Sequence, residues 1–316
     1  MPRQLHANDV RALAHVSRRV RESGAQIVHG HGAKGGAYAR LAVAGRRIVR
    51  AYTPHGGSLL LDHASLSGRA YLALERMLMQ RGDLYLFESA FSADVFRRKV
   101  GTPRGLVRVV PNGVSRGEFA GVPLTEDATD IVFVGEFRRV KGIDVLVDAV
   151  AALHALGSPL TATLVGSGPE MAALRTQVEE RELGASIRFL PAMPMRQALA
   201  LGRLMVLPSR AESFPYVVLE TAAAGRPMIT TAVGGVPEIY GSLSHALVGP
   251  DDSAALAAAI ATVICEPDKA MAMVHALRTR VAERFSVDAM VDGVISGYRQ
   301  AIDGAPLVSR QMLLRA

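Results

Sequence analysis

The chain has 316 residues, 49% hydrophobic, 21% charged and 5% aromatic, with no Trp and a single Cys. That length predicts two domains, and one cysteine excludes an internal disulfide and a cysteine-based zinc cluster. The net charge of +7 is uneven: residues 1–125 hold 19 Lys and Arg against 8 Asp and Glu, and residues 126–316 hold 17 against 21.

A basic first part predicts an acidic partner, such as anionic lipid headgroups or a phosphate-bearing acceptor. Arg46, Arg47 and Arg50 form one cluster, and Arg97, Arg98 and Lys99 another. The alternative is an arginine-rich solvated surface. The basic residues lack interleaved aromatics, which argues against nucleic acid. Met1–His6 lacks the apolar core of a signal peptide, and no run approaches the ~18 apolar residues of a spanning helix. This predicts a cytoplasmic protein, or one peripheral on the inner membrane face. Cys265 ends an apolar run and reads as a small buried hydrophobe.

Residues 8–24 read as an amphipathic helix, with Val10, Leu13, Val16 and Val20 at helical spacing and Gly24 as its stop. A strand is predicted over 25–29, then Gly30-His31-Gly32-Ala33-Lys34-Gly35-Gly36, then a helix near 37–44. Gly30-x-Gly32-x-x-Gly35 is formally a dinucleotide-binding pattern. It would describe an NADP-linked oxidoreductase, with Arg46 or Arg47 on the extra phosphate. The acidic residue expected about 20 positions on is absent, since no Asp or Glu lies between Glu22 and Asp62. The next strand, 47–52, ends instead in Thr53-Pro54-His55-Gly56-Gly57. A histidine on a glycine-rich turn there faces the crevice where α/β sheets bind ligands. A neutral imidazole can give or accept one hydrogen bond to a hydroxyl. The alternative for His55 is a loop histidine without a role.

A helix over 64–81, a strand over 83–88, a helix over 92–100 and a strand over 107–110 follow. Pro111-Asn112-Gly113-Val114 then leads into a linker over 115–128. A second series opens with a strand over 130–135, the loop 136–142 and a helix over 143–156. Arg138, Arg139 and Lys141 in that loop would make a phosphate clamp at a strand-to-helix turn. The strand 160–165 enters Gly166-Ser167-Gly168-Pro169-Glu170, either a tight turn or a close approach to a ligand. Strands are expected over 187–190 and 204–208.

Next comes Ala211-Glu212-Ser213-Phe214-Pro215-Tyr216-Val217-Val218-Leu219-Glu220, running into a helix that stops at Gly225. Pro215 suits the first helical position, with Glu212 before the helix and Glu220 about two turns in. A helix start offers unpaired N–H groups to a phosphate. A strand over 228–231 and helices over 251–264 and 267–303 complete the chain. The alternation predicts the α/β class with parallel sheets. There is no Asp-x-Asp pair, no His-Glu-x-x-His and no Gly-x-Ser-x-Gly elbow, so neither a metal nor a serine hydrolase is implied.

The run 211–220, with Pro208-Ser209 before it and Gly225-Arg226-Pro227 after it, resembles the E-x7-E motif of retaining GT-B glycosyltransferases of family 4. The ends Ile27-Val28-His29-Gly30-His31 and Thr53-Pro54-His55-Gly56-Gly57 and the turn at 111–114 resemble that family too. So does the loop after Gly135, although Glu136 stands where an arginine is usual and Arg138 would substitute. The resemblance implies two Rossmann-like parallel-sheet domains facing a cleft. Residues 1–118 would be an acceptor-side domain whose usual opening strands have no counterpart. Residues 119–285 would bind the nucleotide-sugar, and 286–316 would form a helix crossing back to the first domain.

The resemblance further implies transfer of a sugar, with retention, from a nucleotide-sugar to a glycan or lipid-linked acceptor. Cell-surface polysaccharide or lipopolysaccharide synthesis is the expected setting, with no cofactor and no metal. Arg138, Lys141 and the helix start at Ser213, Phe214, Pro215, Tyr216 and Val217 would hold the diphosphate. Glu220 would hold the ribose, and Glu212 and His55 would meet the donor sugar. The non-enzymatic alternative is a binding or scaffold protein that kept the second domain and lost catalysis.

Overall fold

The computed structural model describes residues 8–44, 47–56 and 66–304. The chain divides into two compact units, residues 1–111 with 290–316, and residues 112–289.

In the first unit the order is α1 (Asn8–Ser23), β1 (Ile27–His31), α2 (Gly32–Leu41), β2 (Val49–Thr53), α3 (Leu66–Met79), β3 (Leu84–Phe87), α4 (Ala90–Lys99) and β4 (Leu106–Val109). The strands pair in parallel in the order β1-β2-β3-β4. Leu84, Tyr85, Leu86 and Phe87 are all buried, as a parallel strand covered on both faces requires. Beneath β2 lies a buried ion pair. Arg40 and Glu75 are 1% and 4% exposed. Arg40 Nη1 and Nη2 donate to the two Glu75 oxygens at 2.9 and 3.1 Å. The guanidinium sits 4.0 Å from the centre of the Tyr52 ring, whose hydroxyl donates to Glu75 Oε1 at 3.0 Å.

The second unit continues with β5 (Thr129–Val134), α5 (Ile143–Ala155), β6 (Ala162–Val165), α6 (Met171–Glu180), β7 (Ile187–Leu190), α7 (Met195–Leu199), β8 (Gly202–Leu207), α8 (Tyr216–Ala223), β9 (Met228–Thr230), α9 (Val236–Tyr240), α10 (Ser253–Cys265) and α11 (Pro267–Arg284). Its five strands are parallel in the order β7-β6-β5-β8-β9. The order reverses between β5 and β8, and at such a switch point the loops after the strands part to form a ligand crevice. The last helix, α12 (Val287–Asp303), belongs to the first unit from Met290 onward. There Val294, Tyr298, Ala301 and Ile302 pack on Val49, Ala51, Leu84 and Leu86.

Several expectations are corrected. The first unit ends at Pro111, not at 118, because Asn112 and Val114 are already bonded to Phe214 and Phe285 of the second. The helix expected over 267–303 breaks at Phe285–Ser286, where Ser286 bridges Val114 and the Phe285 carbonyl accepts from Val114 N–H. Cys265 is exposed, because α10 turns Leu256, Ala257 and Ile260 to the core instead. The first strand runs on through His31, and α2 starts at Gly32, so Gly30-x-Gly32-x-x-Gly35 does not form a loop. Gly30 and the neighbouring Gly36 serve packing: a Cβ on Gly30 would stand 2.2 Å from the Gly35 carbonyl oxygen, and one on Gly36 2.1 Å from the Tyr52 ring. Of the other residues singled out, Arg46 and Gly57 lie outside the described residues.

Glu75→Ala leaves a buried, unpaired guanidinium and should destabilise the first unit by about 3–5 kcal/mol. Denaturant unfolding followed by far-UV circular dichroism measures this; a loss below about 1 kcal/mol would contradict it.

Candidate functional site

The second unit brings two strand-to-helix loops together at the switch point. After β5, Gly135–Gly142 makes one tight turn at Arg139–Lys141 before α5. Gly142 has φ 66°, and a Cβ on it would stand 2.0 Å from the Pro208 carbonyl oxygen. The loop after β8 is thus held against the loop after β5, and Arg210 N–H donates to the Val140 carbonyl at 2.8 Å. The Arg210 side chain completes the clamp, donating to both Asp144 oxygens at 2.7 Å and to Asp251 at 2.5 Å.

This clamp sets Lys141 Nζ 2.6 Å from Glu212 Oε1. Glu212 is 8% exposed. The same oxygen accepts from Ser209 Oγ at 2.6 Å, and Thr231 Oγ1 from the end of β9 fixes the Ser209 carbonyl at 2.5 Å. From below, Gly234 approaches so closely that a Cβ there would meet the Glu212 carbonyl oxygen at 1.8 Å. Gly235 N–H also donates to the Ser213 carbonyl at 2.8 Å.

Helix α8 starts at Tyr216, so Pro215 is the residue before the first helical position, not that position itself. No side chain caps this helix. Glu220 is its fifth residue, a little over one turn in rather than two. Glu220 is half-buried, and its carboxylate has no hydrogen-bond partner among the described residues. Burial, then the charge of Glu118, pushes its carboxyl above the usual range. A half-buried carboxylate without a cation is costly unless a ligand uses it. Beside these loops, at the ends of β5, β6 and β7, lies a cavity of about 420 Å3 walled by Gly135, Glu136, Gly166, Ser167, Ala192 and Met193. The turn 166–170 is needed by the protein itself: a Cβ on Gly168 would stand 2.3 Å from the Phe137 carbonyl oxygen.

In the first unit, three histidines gather where β1 and β2 end. His55 has φ 52°, a strained value for a residue other than glycine. Its Nε2 is 2.8 Å from His31 Nδ1, and its Nδ1 is 3.0 Å from Glu88 Oε2. That close pair lacks hydrogen-bond alignment, so the buried oxygen of Glu88 keeps an open valence. His29 joins Tyr298 at 2.6 Å and Thr53 at 2.9 Å. Burial, then the neighbouring His31 and His55, pushes the His29 pKa down to about 4, so it is neutral at physiological pH. Burial and His55 lower that of His31, with Glu88 opposing.

Comparison with known proteins places this geometry. Residues 128–266 match the model for glycosyl transferases group 1, and residues 1–117 match that for glycosyltransferase family 4. D-inositol 3-phosphate glycosyltransferase 1 of Catenulispora acidiphila is 30% identical over 307 residues, which is 88% of this chain and 73% of that protein. This chain belongs to the group 1 glycosyltransferases. Glycogen synthase of Mycobacterium tuberculosis is 28% identical over 238 residues, 73% of this chain; the chain spans only 58% of that protein's length. Sucrose-phosphate synthase of Thermosynechococcus elongatus superimposes with a TM-score of 0.85 at 25% identity, over 96% of this chain and 81% of that one. HepE of Anabaena, solved with UDP, shares the fold with a TM-score of 0.78 at 20% identity, over 91% of this chain and 82% of that one.

Within this glycosyltransferase fold, Lys141, Glu212 and Ser213 lie on two adjoining loops. Arg138 forms no ion pair with Glu212; its Nη1 is 3.9 Å from Glu136 Oε2. Phe214 is 3% exposed and packs on Phe285 at 5.5 Å, so its side chain is core. Its carbonyl accepts from Asn112 at 2.9 Å. Pro215 is buried, Val217 half-buried and Tyr216 44% exposed. Sequence reasoning passed over Ser209, Thr231, Arg210 and Glu88. Glu88 carried one signal: a carboxylate directly after a strand of four apolar residues stands at the ligand end of a parallel sheet.

The folded chain holds the Glu220 proton more tightly than the unfolded chain does. Its ionisation therefore destabilises the fold fully above the raised pKa and not at all below the unfolded value. Glu220→Gln should raise the melting temperature at pH 7.5 and give no gain near about pH 3.5. Equal melting temperatures at pH 7.5 would contradict the burial argument.

Proposed function

We infer that this chain is a retaining glycosyltransferase whose second unit binds a nucleotide-sugar. The observation that carries this reading is the Lys141–Glu212 pair at the switch point of the sheet, at 2.6 Å. Without ligand, each charge satisfies the other. A diphosphate entering beside α8 draws Lys141 toward its oxygens and frees Glu212 to accept from sugar hydroxyls. Arg138, held loosely by Glu136, and the uncapped start of α8 add positive potential. Glu220 accepts from the two ribose hydroxyls, and the cavity at Gly135 and Ala192 takes the base.

In the reaction the bond between the anomeric carbon and the diphosphate oxygen breaks. An acceptor oxygen bonds to that carbon, and the acceptor proton passes to the leaving diphosphate. Lys141 and Arg138 stabilise the charge that grows on the leaving group. His55, backed by Glu88, hydrogen-bonds a hydroxyl of the sugar. Retention of configuration follows from the family resemblance.

The acceptor is a glycan or lipid-linked molecule, in cell-surface polysaccharide or lipopolysaccharide synthesis. The charge of the first unit supports this, since Arg11, Arg18, Arg19 and Arg21 of α1 are exposed. That face suits an anionic membrane surface. No described helix is long and apolar enough to cross a membrane. Vesicles rich in phosphatidylglycerol should bind the chain at low salt and release it at about 0.5 M NaCl. Failure to bind them would remove the membrane surface from this reading.

Calorimetric titration with UDP, GDP and ADP should show one nucleotide bound per chain. Lys141→Ala and Glu220→Ala should each weaken that nucleotide about 10- to 100-fold. Binding should also weaken as pH falls through the raised Glu220 pKa, because the protonated carboxyl accepts poorly from a diol. A folded chain that binds none of the three overturns the donor site.

A further inference from the structure

A second cavity of about 410 Å3 lies in the same unit, at the end of the sheet where β9 begins. Parallel strands put this end opposite the loops that carry Lys141 and Glu212. Its walls come from β9, α10 and α11, chiefly Met228, Ile229, Val263, Met273, Val274 and Leu277. The size and apolar lining match those of small-molecule sites.

Two polar side chains on this cavity are left incompletely answered by the protein, Tyr240 at its hydroxyl and Arg226 in its charge. Tyr240 lines it, is 2% exposed, and its hydroxyl meets no donor or acceptor among the described residues. Burial pushes its phenol pKa up. The ring is buried but the hydroxyl oxygen is open to the cavity, so it is available to an occupant. Arg226 also lines the cavity. One nitrogen donates to the Val122 carbonyl at 2.7 Å, but no carboxylate pairs with the guanidinium among the described residues. Burial, then repulsion from Arg203, lowers its pKa, as expected for a cation short of a counter-charge. The remaining charges at the rim cancel, since Lys269 Nζ is 2.6 Å from Glu266. The His245 ring is turned to the Ser242 carbonyl at 3.2 Å.

We propose that this cavity is a second ligand site, distinct from the nucleotide site, for a small single-chain amphiphile with a carboxylate head. The apolar body fills the space between β9, α10 and α11. Arg226 supplies the counter-ion for the head, and Tyr240 donates its hydroxyl to a carboxylate oxygen. A sugar or free nucleotide is a poor occupant, because the apolar walls would strip its hydroxyls of water without replacing the bonds.

Calorimetry of the full chain with decanoate tests this. One decanoate per chain is expected, and octanoate should bind about tenfold more weakly, since it buries two methylenes fewer. Arg226→Gln should weaken decanoate about tenfold or more and leave decanol unchanged. Tyr240→Phe should weaken decanoate severalfold. Met273→Trp and the milder Ala270→Leu fill the cavity and should abolish or reduce decanoate binding in proportion. Unchanged nucleotide binding shows that each variant is folded. Vesicles of phosphatidylglycerol should leave the decanoate isotherm as it was. The proposal fails if decanoate does not bind, if both filled variants bind it like the parent chain, or if decanol binds as tightly as decanoate. It also fails if vesicles displace decanoate, because the cavity would then hold a bilayer lipid.

Discussion

Every strand-to-helix loop of a parallel sheet leaves from the same end, so that end must pack several loops in little space. In the second unit the crowding is resolved backbone against backbone. Gly142 lies on the Pro208 carbonyl, Gly168 on Phe137 and Gly234 on the Glu212 carbonyl, each closer than any Cβ allows. The loops after β5, β6, β8 and β9 therefore form one interlocked layer. The position of a charged atom in that layer is set by its neighbours' main chain as well as by its own rotamer. This is how Lys141 and Glu212, which are 71 residues apart in sequence, come to share a hydrogen bond.

The same layer separates charges that are satisfied from those that are not. Arg210 is held by two aspartates, and Lys141 by one glutamate. Glu220 has no such support and stands half-buried, with the charge of Glu118 acting against its ionisation. Groups of the first kind stiffen the loops, while Glu220 destabilises them slightly. The combination is characteristic of a site built for a ligand, where the protein leaves a binding group unanswered. The first unit repeats the pattern in another form. Its Arg40–Glu75 pair is fully answered in the core, while Glu88 beneath His55 retains an unmatched oxygen.

Most of the fold was legible because short apolar strand runs alternate with helical stretches in both sheets, and the E-x7-E run and the Lys141 loop pointed to the loops at the switch point. Local reading went wrong where partners lie far off in sequence. Nothing near Ser286 announces that Val114 will break the last helical stretch there. The glycines at 30–36 suggested a phosphate loop, yet Gly30 packs on Gly35 and Gly36 on Tyr52 of the following strand. Phe214 looked like part of the ligand surface because the motif contains it, yet Phe285 claims its ring. Pro215 was misplaced by one position because the turn before α8 is set by Asn112 and Gly235, both remote. Glu88 was passed over because its one signal, a carboxylate directly after a strand, gains weight only beside His55, which is remote in sequence.

The order in which the chain emerges during synthesis matters for the first unit. Its sheet is encoded early, but the helix that covers one face, with Val294, Tyr298 and Ala301, is encoded only after the whole second unit. The second unit is contiguous and lies between them. At ~5–20 residues per second, the face formed by Val49, Ala51, Leu84 and Leu86 waits roughly ten to forty seconds for its cover. During that interval His29 also lacks Tyr298, its partner 269 residues downstream. A ribosome that stops within α12 would thus release a chain with an intact second unit and a first unit open to aggregation.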